Sequence, residues 1–288
     1  MKTATENVAL GKPFFITFVV ALVVSGALVF TSLRRTAVTT TSSIFCTLAA
    51  GGSSGDSAEM TPLQMLSIVH YATSAVVPQQ SRREISVTFD VLKNLYPCNF
   101  LVFGLGYDSV MWSSLNPRGT TLFLEEDIRW VHRVLKEAPS LRVHPVRYAT
   151  RLSDADQLLA TYRFEPHCLP PHVRLHGETR CKLALSNLPD DVYDREWDVI
   201  LIDGPRGYFP AAPGRMAPIF TAAVMARART RRGVTHVVLH DVDRKVEKTF
   251  AREFLCEKYL VKHVDRLWHF EIPPGEAVAA GDKHHHFC

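Results

Sequence analysis

The stretch Asn99-Phe-Leu-Val-Phe-Gly-Leu-Gly-Tyr-Asp-Ser109 decides the fold of this chain. Its apolar run predicts a buried strand that ends at Gly104, turns through Gly106 and leads into a helix near Asp108. In open α/β proteins, a strand followed by a glycine turn and a helix presents a cofactor at the carboxyl end of the strand. Two glycines alone are weak evidence for such a site, because ordinary strand-to-helix turns contain them too.

Two acidic strand ends strengthen the prediction of a nucleotide-type cofactor site. The first is Leu122-Phe-Leu-Glu-Glu-Asp127. Its Glu125 follows the turn by about 20 residues, where a carboxylate accepts hydrogen bonds from ribose hydroxyls. Glu126 is the alternative, and Asp127 is typical of a cap on the next helix. The second is Trp197-Asp-Val-Ile-Leu-Ile-Asp203, which ends in a carboxylate before a Gly-Pro loop.

From residue 99 onward the predicted strands and helices alternate, which indicates right-handed crossovers and a mainly parallel sheet. Two earlier helices, starting after Thr61 and Ser81, should cover this sheet. The last two strands leave no room for a helix between them and should form an antiparallel hairpin around Val264-Asp265. This α/β layout resembles the class I methyltransferase sheet and differs from dinucleotide dehydrogenases. Strands are predicted at 99–104, 120–125, 141–147, 197–203, 234–240, 258–264 and 266–272, and helices at 108–116, 127–138, 153–163, 215–229 and 243–256.

The glycine turn favours S-adenosylmethionine as the cofactor. The third glycine of the dinucleotide fingerprint is missing, and Ser109 stands in its place. That substitution weakens a pyrophosphate-binding interpretation and suits a ligand without phosphates. The expected cofactor-binding residues are Gly104, Gly106, Asp108, Ser109, Glu125 and Asp203.

Three residues at the ends of later strands are candidates for the chemistry: Asp203, His240 and Asp241. Each could act as a base, and together they could bind a divalent metal ion through mixed oxygen and nitrogen ligands. A purely structural role in caps and turns is the competing interpretation for each of them.

The segment after Asp203 contains the candidate substrate-binding residues Arg206, Tyr208 and Arg215. An arginine fork suits a carboxylate substrate, although Arg215 could equally be a first-turn residue of the following helix. Residues 164–196 are interrupted by prolines and are predicted to form a long irregular insertion beside the site.

The composition limits the classes of protein that remain. The chain has 288 residues, 22% of them charged, and a net charge of +4. No basic stripe interleaved with aromatic residues indicates nucleic-acid binding. The six cysteines lack Cys-x-x-Cys spacing, which argues against a structural zinc site. Cys168 and Cys181 are the nearest pair for a disulfide bond, and free thiols are the alternative.

The first 59 residues of the chain have their own organisation. An uncharged apolar stretch, residues 13–33, is long enough to cross a bilayer, for which about 20 residues suffice. We expect an uncleaved transmembrane signal anchor here, with a cleaved signal peptide as the alternative. The basic residues on its two sides nearly balance, so they leave the orientation open. The expected divisions are a tail at 1–12, the anchor at 13–33, a flexible Ser/Thr/Gly-rich stem at 34–59, the folded domain at 60–273 and a disordered tail at 274–288.

Long motifs in this sequence resemble a plant family, the glucuronoxylan 4-O-methyltransferases and the related irregular-xylem-fifteen proteins. The resemblance spans about residues 60–273. It is carried by Pro97-Cys-Asn-Phe-Leu-Val-Phe-Gly-Leu-Gly-Tyr-Asp-Ser-Val-Met-Trp112, Thr121-Leu-Phe-Leu-Glu-Glu-Asp127, Trp197-Asp-Val-Ile-Leu-Ile-Asp-Gly-Pro-Arg-Gly207, Ala212-Pro-Gly-Arg-Met216, His240-Asp241 and Glu253-Phe-Leu-Cys256.

The resemblance implies a single-pass type II protein of the Golgi membrane with a lumenal domain. It also implies transfer of a methyl group from S-adenosylmethionine to the 4-hydroxyl of glucuronic acid side chains on glucuronoxylan, during secondary cell wall synthesis. Two alternatives stay open at this point. One is a non-catalytic xylan assembly protein of the irregular-xylem-fifteen type, and the other is a dinucleotide oxidoreductase, which Ser109 and the terminal hairpin disfavour.

Overall fold

A computed structural model describes residues 60–170, 172–177, 180–275 and 287–288. The expected tail, anchor and stem at 1–59 lie outside the described residues. Within the described part, no helix has both the length and the apolar character needed to span a bilayer.

Seven strands form one sheet at the centre of the domain. They are β1 (Asn99–Phe103), β2 (Thr120–Glu125), β3 (Arg142–Pro145), β4 (Val199–Ile202), β5 (Thr235–Leu239), β6 (Leu260–Val264) and β7 (Leu267–Ile272). Their order in the sheet is β3-β2-β1-β4-β5-β7-β6, with β7 antiparallel to both of its neighbours. The predicted α/β sheet, its parallel half and its closing hairpin are therefore confirmed, and the predicted strands are too long by at most two residues at either end.

Eight α-helices cover the described part of the sheet and its connections. They are α1 (Pro62–Thr73), α2 (Arg82–Leu95), α3 (Ser109–Ser114), α4 (Ile128–Glu137), α5 (Ala155–Thr161), α6 (Asp190–Tyr193), α7 (Met216–Arg227) and α8 (Lys245–Phe250). Helix α8 continues as a π-helix over Ala251–Leu255. The five helices predicted from residue 108 onward all have a counterpart here.

The first two helices begin where their capping residues predict. The Thr61 hydroxyl accepts a hydrogen bond from the Gln64 amide, and the Gln64 side chain accepts one from the Thr61 amide. Ser81 and Glu84 form the same reciprocal arrangement at the start of α2. Each box satisfies two backbone N–H groups that a helix start would otherwise leave unpaired.

The core lies on both faces of the sheet because the central strands are apolar along their whole length. Along β1, Leu101 and Phe103 face one layer, whereas Phe100 and Val102 face the other. The first layer contains α7, which is buried on nearly every side, together with α5 and α8. The second layer contains α2, α3 and α4. The sheet is thus held between two helical layers, and its carboxyl edge stays open for a ligand.

The insertion 164–196 is irregular, as predicted, but its apolar side chains pack into the core. Its leucines Leu183, Leu185 and Leu188 are buried in the first layer. A disulfide bond joins Cys168 to Cys181. None of its described residues lines the cleft at the carboxyl edge of the sheet.

The C-terminal end differs from the disordered tail expected at 274–288. Residues 276–286 lie outside the described part, but the last two residues are packed. Phe287 is 6% exposed and contacts the rings of Phe220 and Phe254. Cys288 is bonded to Cys256. The apolar character of Phe287 and this bond hold the chain end against α7 and the π-helix.

Candidate active site

A cleft of about 410 Å³ opens at the carboxyl ends of β1, β2, β4 and β5. This is the edge where ligands bind in open α/β sheets. Most of the residues predicted for the site line it, although they come from segments far apart in sequence. They are Gly104, Gly106, Asp108, Glu125, Asp203, Arg206, Tyr208, Arg215 and Asp241.

The loops after β1 and β4 touch through two glycines. Gly104 has a φ of +113°, a conformation that side chains disfavour, and a Cβ on Gly204 would lie 2.7 Å from the Gly104 Cα. The turn that follows is fixed by Ser109, whose buried hydroxyl accepts a hydrogen bond from the Gly106 amide at 2.9 Å. The glycines therefore let the two backbones meet at the floor of the cleft. Ser109, predicted to bind the cofactor, is buried and instead stabilises the turn through this hydrogen bond.

Glu125 sits between the first two strand ends. Its Oε2 accepts a hydrogen bond from the Leu105 amide at 3.0 Å, and its Oε1 accepts one from the Asp127 amide at 2.9 Å. Burial raises the pKa of this carboxyl above its ordinary value. Asp127 caps α4, as predicted. Glu126, the alternative ribose ligand, is instead paired with Arg206 at 2.8 Å.

Asp108 is a second carboxylate in the cleft. Its Oδ2 accepts a hydrogen bond from the Trp112 indole at 2.7 Å. Burial and then the nearby charge of Asp203 raise the pKa of Asp108 from 3.8 to about 6. The cleft therefore favours a positively charged ligand group beside Asp108, because such a group would relieve the cost of the buried charge.

Asp203, one of the predicted catalytic residues, lies in the cleft. Its side chain is 24% exposed. Its Oδ1 lies 2.9 Å from His240 Nδ1 and 3.3 Å from Arg215 Nη2. Its Oδ2 accepts a hydrogen bond from the Gln80 amide group at 2.9 Å. Burial raises the pKa of Asp203, but the hydrogen bond from His240 and the charge of Arg215 outweigh it and hold this pKa below its ordinary value. Asp203 is thus ionised and held in one orientation.

His240 does not reach the cleft, in contrast to the prediction that it could act as the base. It is 0% exposed, and its Nε2 faces Glu84 Oε1 at 3.5 Å. The imidazole therefore lies beneath Asp203 and connects it to α2. The residue can orient Asp203 but cannot contact an acceptor.

Asp241 is also held by internal partners. It is 3% exposed, and its φ is 61°. Its carboxylate pairs with Arg215 at 2.7 Å, with Arg244 at 2.9 Å and with Arg266 at 2.9 Å. Because it is buried and carries three guanidinium partners, Asp241 is less suited to proton transfer than the partly exposed Asp203.

Arg215 corrects a second prediction, because it is not free to bind a substrate carboxylate. It is 4% exposed, and it donates to the backbone oxygens of His240 at 2.7 Å and Asp203 at 2.8 Å. Its guanidinium group also forms ion pairs with Asp203 and Asp241, so its charge is balanced by carboxylates of the protein itself. Arg215 ties the ends of β4 and β5 together.

The residues predicted to hold a divalent metal ion do come together, since ligand atoms of Asp203, His240 and Asp241 lie within 4.8 Å of one another. The arginines around Asp241 already balance the charge of this trio. A cation would lie directly against the Arg215 guanidinium, so the donor set fits an internal ion-pair cluster rather than an open metal site.

Sequence reasoning missed Gln80. It is 3% exposed and lies in the segment between α1 and α2, where no periodic pattern marked it. Its Nε2 holds Asp203, whereas its buried Oε1 has no hydrogen-bond partner among the described residues. A buried acceptor without a partner beside the cleft is suited to a donor group of a bound ligand.

The cleft fits S-adenosylmethionine. The meeting of Gly104 and Gly204 brings backbone close to a ligand, Glu125 lines the cleft at the end of β2 where a ribose ligand is predicted, and Asp108 offers negative charge. At the rim, the rings of Tyr107 and Trp130 lie edge to face with centroids 5.3 Å apart and offer apolar surface for a purine.

Comparison with known proteins identifies relatives of this chain. The model of the IRX15/IRX15L/GXM family matches residues 83–270. Arabinogalactan O-methyltransferase 1 of Arabidopsis thaliana is 57% identical over 92% of this chain and 93% of its own length. Glucuronoxylan 4-O-methyltransferase 1 of the same plant is 43% identical over 77% of each chain. Among solved structures, a precorrin-6y C5,15-methyltransferase from Geobacter metallireducens aligns with a TM-score of 0.37 and 17% identity, covering 69% of this chain and 92% of its own.

The sheet order and these relatives support one conclusion about the reaction class. The chain is an O-methyltransferase, and S-adenosylmethionine is its cofactor. The chain belongs to the IRX15/IRX15L/GXM family.

Proposed function

We propose that this chain methylates the 4-hydroxyl of glucuronic acid residues on an arabinogalactan of the plant cell wall. The observation that carries the proposal of an acidic acceptor is Arg206 at the rim of the cleft. Its side chain is 52% exposed, and its Nε lies 2.8 Å from Glu126. A substrate carboxylate could take the place of Glu126 at this guanidinium, and the exposed ring of Tyr208 offers a surface for a sugar.

The choice of polymer is supported by the relatives. Identity reaches 57% over 92% of this chain for arabinogalactan O-methyltransferase 1, against 43% over 77% for glucuronoxylan 4-O-methyltransferase 1. Glucuronoxylan, the acceptor implied by the sequence motifs, is therefore the second candidate. The cleft offers the same groups to a glucuronic acid unit of either polymer.

The mechanism assigns the chemistry to few residues. S-adenosylmethionine supplies a methyl group that its positive sulfur makes electrophilic. Asp203 accepts the proton of the sugar hydroxyl, because it is the ionised carboxylate that directly follows β4 and is partly exposed in the cleft. Its Oδ1 accepts from His240 and Arg215, so the free lone pair belongs to Oδ2, which among the described residues accepts only from Gln80 and has capacity for the acceptor hydroxyl. Those bonds fix the carboxylate in the orientation that in-line transfer needs.

An acceptor assay separates the candidate functions. The full chain is incubated with methyl-labelled S-adenosylmethionine and one polymer per reaction. The polymers are a glucuronic acid-bearing arabinogalactan, glucuronoxylan, and each of these two after reduction of its carboxyl groups to alcohols. Label in the native arabinogalactan supports the proposal. Label in xylan alone selects the second candidate. A folded chain that binds S-adenosylmethionine and labels neither polymer overturns both.

The role of Arg206 has a matched control in the chain. We expect Arg206→Ala to raise the KM for the native acceptor by about tenfold or more, since it removes a charged partner of the carboxylate. The same variant should leave the KM for the carboxyl-reduced polymer unchanged. Arg252, which is similarly exposed and paired with Glu257, is the control, and Arg252→Ala should change neither value.

We further propose that the domain lies in the Golgi lumen, anchored by a single type II span at residues 13–33. The uncharged sequence of that stretch and the two disulfide bonds of the domain support this, because disulfides persist in oxidising compartments. A C-terminal tag on the full chain should be protected from protease in intact Golgi vesicles and become sensitive when detergent is added. Digestion of the tag in intact vesicles would place the domain in the cytosol instead.

A further inference from the structure

A second cluster of metal-ligating side chains lies away from the cleft. It consists of His236 on β5 and of His269 and Glu271 on β7. His236 belongs to the amino half of β5, and His240 follows its carboxyl end. Four residues of a strand span roughly 13 Å, so the cluster and the catalytic end of β5 lie at opposite edges of the sheet. The proposed methyl transfer uses none of these three residues.

The pairing of the two strands places these side chains on one face. His236 is directly opposite Glu271, and His269 is opposite Val238, two residues further along β5. Side chains two apart on a strand share a face, so all three project towards the layer that contains α2. The arrangement is therefore built by the sheet register rather than by a mobile loop.

The distances suit a small cation. His236 Nδ1 and His269 Nε2 lie 3.0 Å apart, and Glu271 Oε1 lies 3.8 Å from His236 Nδ1. All three ligand atoms fall within 4.8 Å of one another. In tetrahedral zinc sites, Zn–N and Zn–O bonds of about 2.0–2.2 Å place neighbouring ligand atoms roughly 3.0–3.6 Å apart. A small rotation of the Glu271 side chain, which is 44% exposed, closes the remaining gap.

The surroundings leave room for the ion and balance the nearby charges. A pocket of about 320 Å³ between α2 and β6 includes the three residues in its lining. Its one lysine, Lys262, is paired with Asp90 at 3.8 Å. Among the described residues, the Glu271 carboxylate has no ion-pair partner besides His236. An imidazole pair next to such a carboxylate in an accessible pocket has the composition of a zinc site with one position open to water.

We propose that His236, His269 and Glu271 bind one Zn²⁺ ion, which clamps β7 to β5 at the amino edge of the sheet. Two imidazoles and one carboxylate supply three ligands, and water supplies the fourth. The ion stabilises the antiparallel end of the sheet and leaves the reacting groups of the catalytic cleft untouched.

Zinc binding by the full chain tests the proposal. The tract His284-His285-His286 could bind zinc itself. The parent protein of this experiment, and every variant made from it, therefore carries alanine at those three positions. Titration with Zn²⁺ should show one saturable site per chain. At about 100 Kd of free zinc, the unfolding midpoint should rise by roughly 5–10 °C. X-ray absorption should show two imidazole nitrogens at about 2.0–2.1 Å from the metal.

Three variants and two controls make the result specific. We expect His269→Gln and His236→Gln to lose the zinc-dependent rise, and Glu271→Gln to weaken binding by about tenfold or more. Glu271 is exposed enough for its variant to fold if a histidine variant does not. His263→Gln, on the exposed face of β6, and Asp203→Asn, in the catalytic cleft, should bind zinc as the parent does. Saturable binding that survives His236→Gln and Glu271→Gln, or no saturable binding by the parent, would overturn the proposal.

Discussion

His240 Nδ1 lies 2.9 Å from Asp203 Oδ1, and the two residues follow the ends of neighbouring parallel strands. The imidazole is buried beneath the cleft, whereas 24% of the Asp203 side chain is exposed. His240 also faces Glu84 of α2 at 3.5 Å. Helix α2 is thus connected to the proposed catalytic carboxylate through the buried imidazole of His240.

Asp203→Asn should abolish methyl transfer while the fold persists. The amide keeps the shape of the carboxylate but cannot accept the hydroxyl proton, and it removes the negative charge beside Arg215. We expect kcat to fall by at least about 100-fold. Transfer of labelled methyl groups measures the loss, and far-ultraviolet circular dichroism checks the fold.

Asp243→Asn is the control for that change, because Asp243 lies three residues beyond His240 and is exposed. Its activity should equal that of the parent. A folded Asp203→Asn variant with normal turnover would remove Asp203 from the mechanism.

His240→Asn should act through Asp203, since the ring cannot touch the acceptor. The shorter side chain leaves Asp203 Oδ1 without its 2.9 Å partner and lets the carboxylate reorient. We expect kcat to fall between roughly 10- and 100-fold, with the KM for S-adenosylmethionine changed by less than about twofold. A variant that loses cofactor binding and turnover equally would show that His240 only supports the fold. A normal kcat would show that Asp203 does not depend on it.

The pH dependence of stability should report Asp108. Burial and the charge of Asp203 raise the pKa of Asp108 from 3.8 to about 6 in the folded protein. A carboxyl whose pKa is raised by folding contributes stability that is present below the unfolded-state pKa and is lost as pH rises through the folded-state pKa. At pH 7.5 the parent therefore carries a buried charge that Asp108→Asn lacks, while the amide oxygen can still accept from Trp112.

We therefore expect Asp108→Asn to have a higher free energy of unfolding than the parent at pH 7.5, by roughly 1–2 kcal/mol. The difference should shrink as the pH falls through 6 towards 4. Denaturant unfolding over this range measures it, and the exposed Asp243→Asn variant should show no such trend. A difference between Asp108→Asn and parent that does not depend on pH would contradict the assignment.

Breaking the Cys256–Cys288 bond should release the C-terminal end. The bond closes a segment with a sequence separation of 32, for which loop entropy predicts about 3–4 kcal/mol of stabilisation. The Phe287 side chain and its carbonyl, which accepts from Arg227 at 3.0 Å, depend on that closure. We expect Cys288→Ser to lower the unfolding midpoint clearly.

The second disulfide supplies the control for this prediction. A Cys168→Ser/Cys181→Ser variant keeps only the Cys256–Cys288 bond among the described pairs, so its response to a reductant isolates that bond. An unchanged midpoint in Cys288→Ser would mean that the packing of Phe287 holds the end without the bond.

The sequence predicted most of what depends on near neighbours along the chain. The strand at Asn99–Phe103, the helix starts at Thr61 and Ser81, and the cap at Asp127 follow from periodicity and from side chains that bond within three residues. The closing hairpin follows from the short spacing of its strands. These features are local, so a single sequence carries them.

What the sequence did not predict depends on contacts between distant segments. Gln80 meets Asp203 across 123 positions, and no pattern around Gln80 marks that contact. Arg215 looked available for a substrate, but the ends of two other strands enclose it. The cluster of His236 and His269 exists only because the register of β5 and β7 aligns them. Burial and pairing of this kind are properties of the fold.

The contact between the loops after β1 and β4 gives the last prediction. Gly104 and Gly233 both have strongly positive φ values, +113° and +102°. A Cβ at Gly104 would lie 3.1 Å from the Gly204 nitrogen, whereas a Cβ at Gly233 would meet nothing within 4 Å. The variants Gly104→Ala and Gly233→Ala would therefore both strain the backbone, but only Gly104→Ala would crowd the floor of the cleft.

Gly233→Ala should lose roughly 1–2 kcal/mol of stability and bind S-adenosylmethionine with parental affinity. Gly104→Ala should lose more stability, because Gly204 must move away. Its affinity for S-adenosylmethionine should fall by about tenfold or more, since the displaced loop lines the cleft. Calorimetric titration of both folded variants measures the difference. Equal affinities in the two variants would show that the close approach of Gly104 and Gly204 serves the fold and not the cofactor.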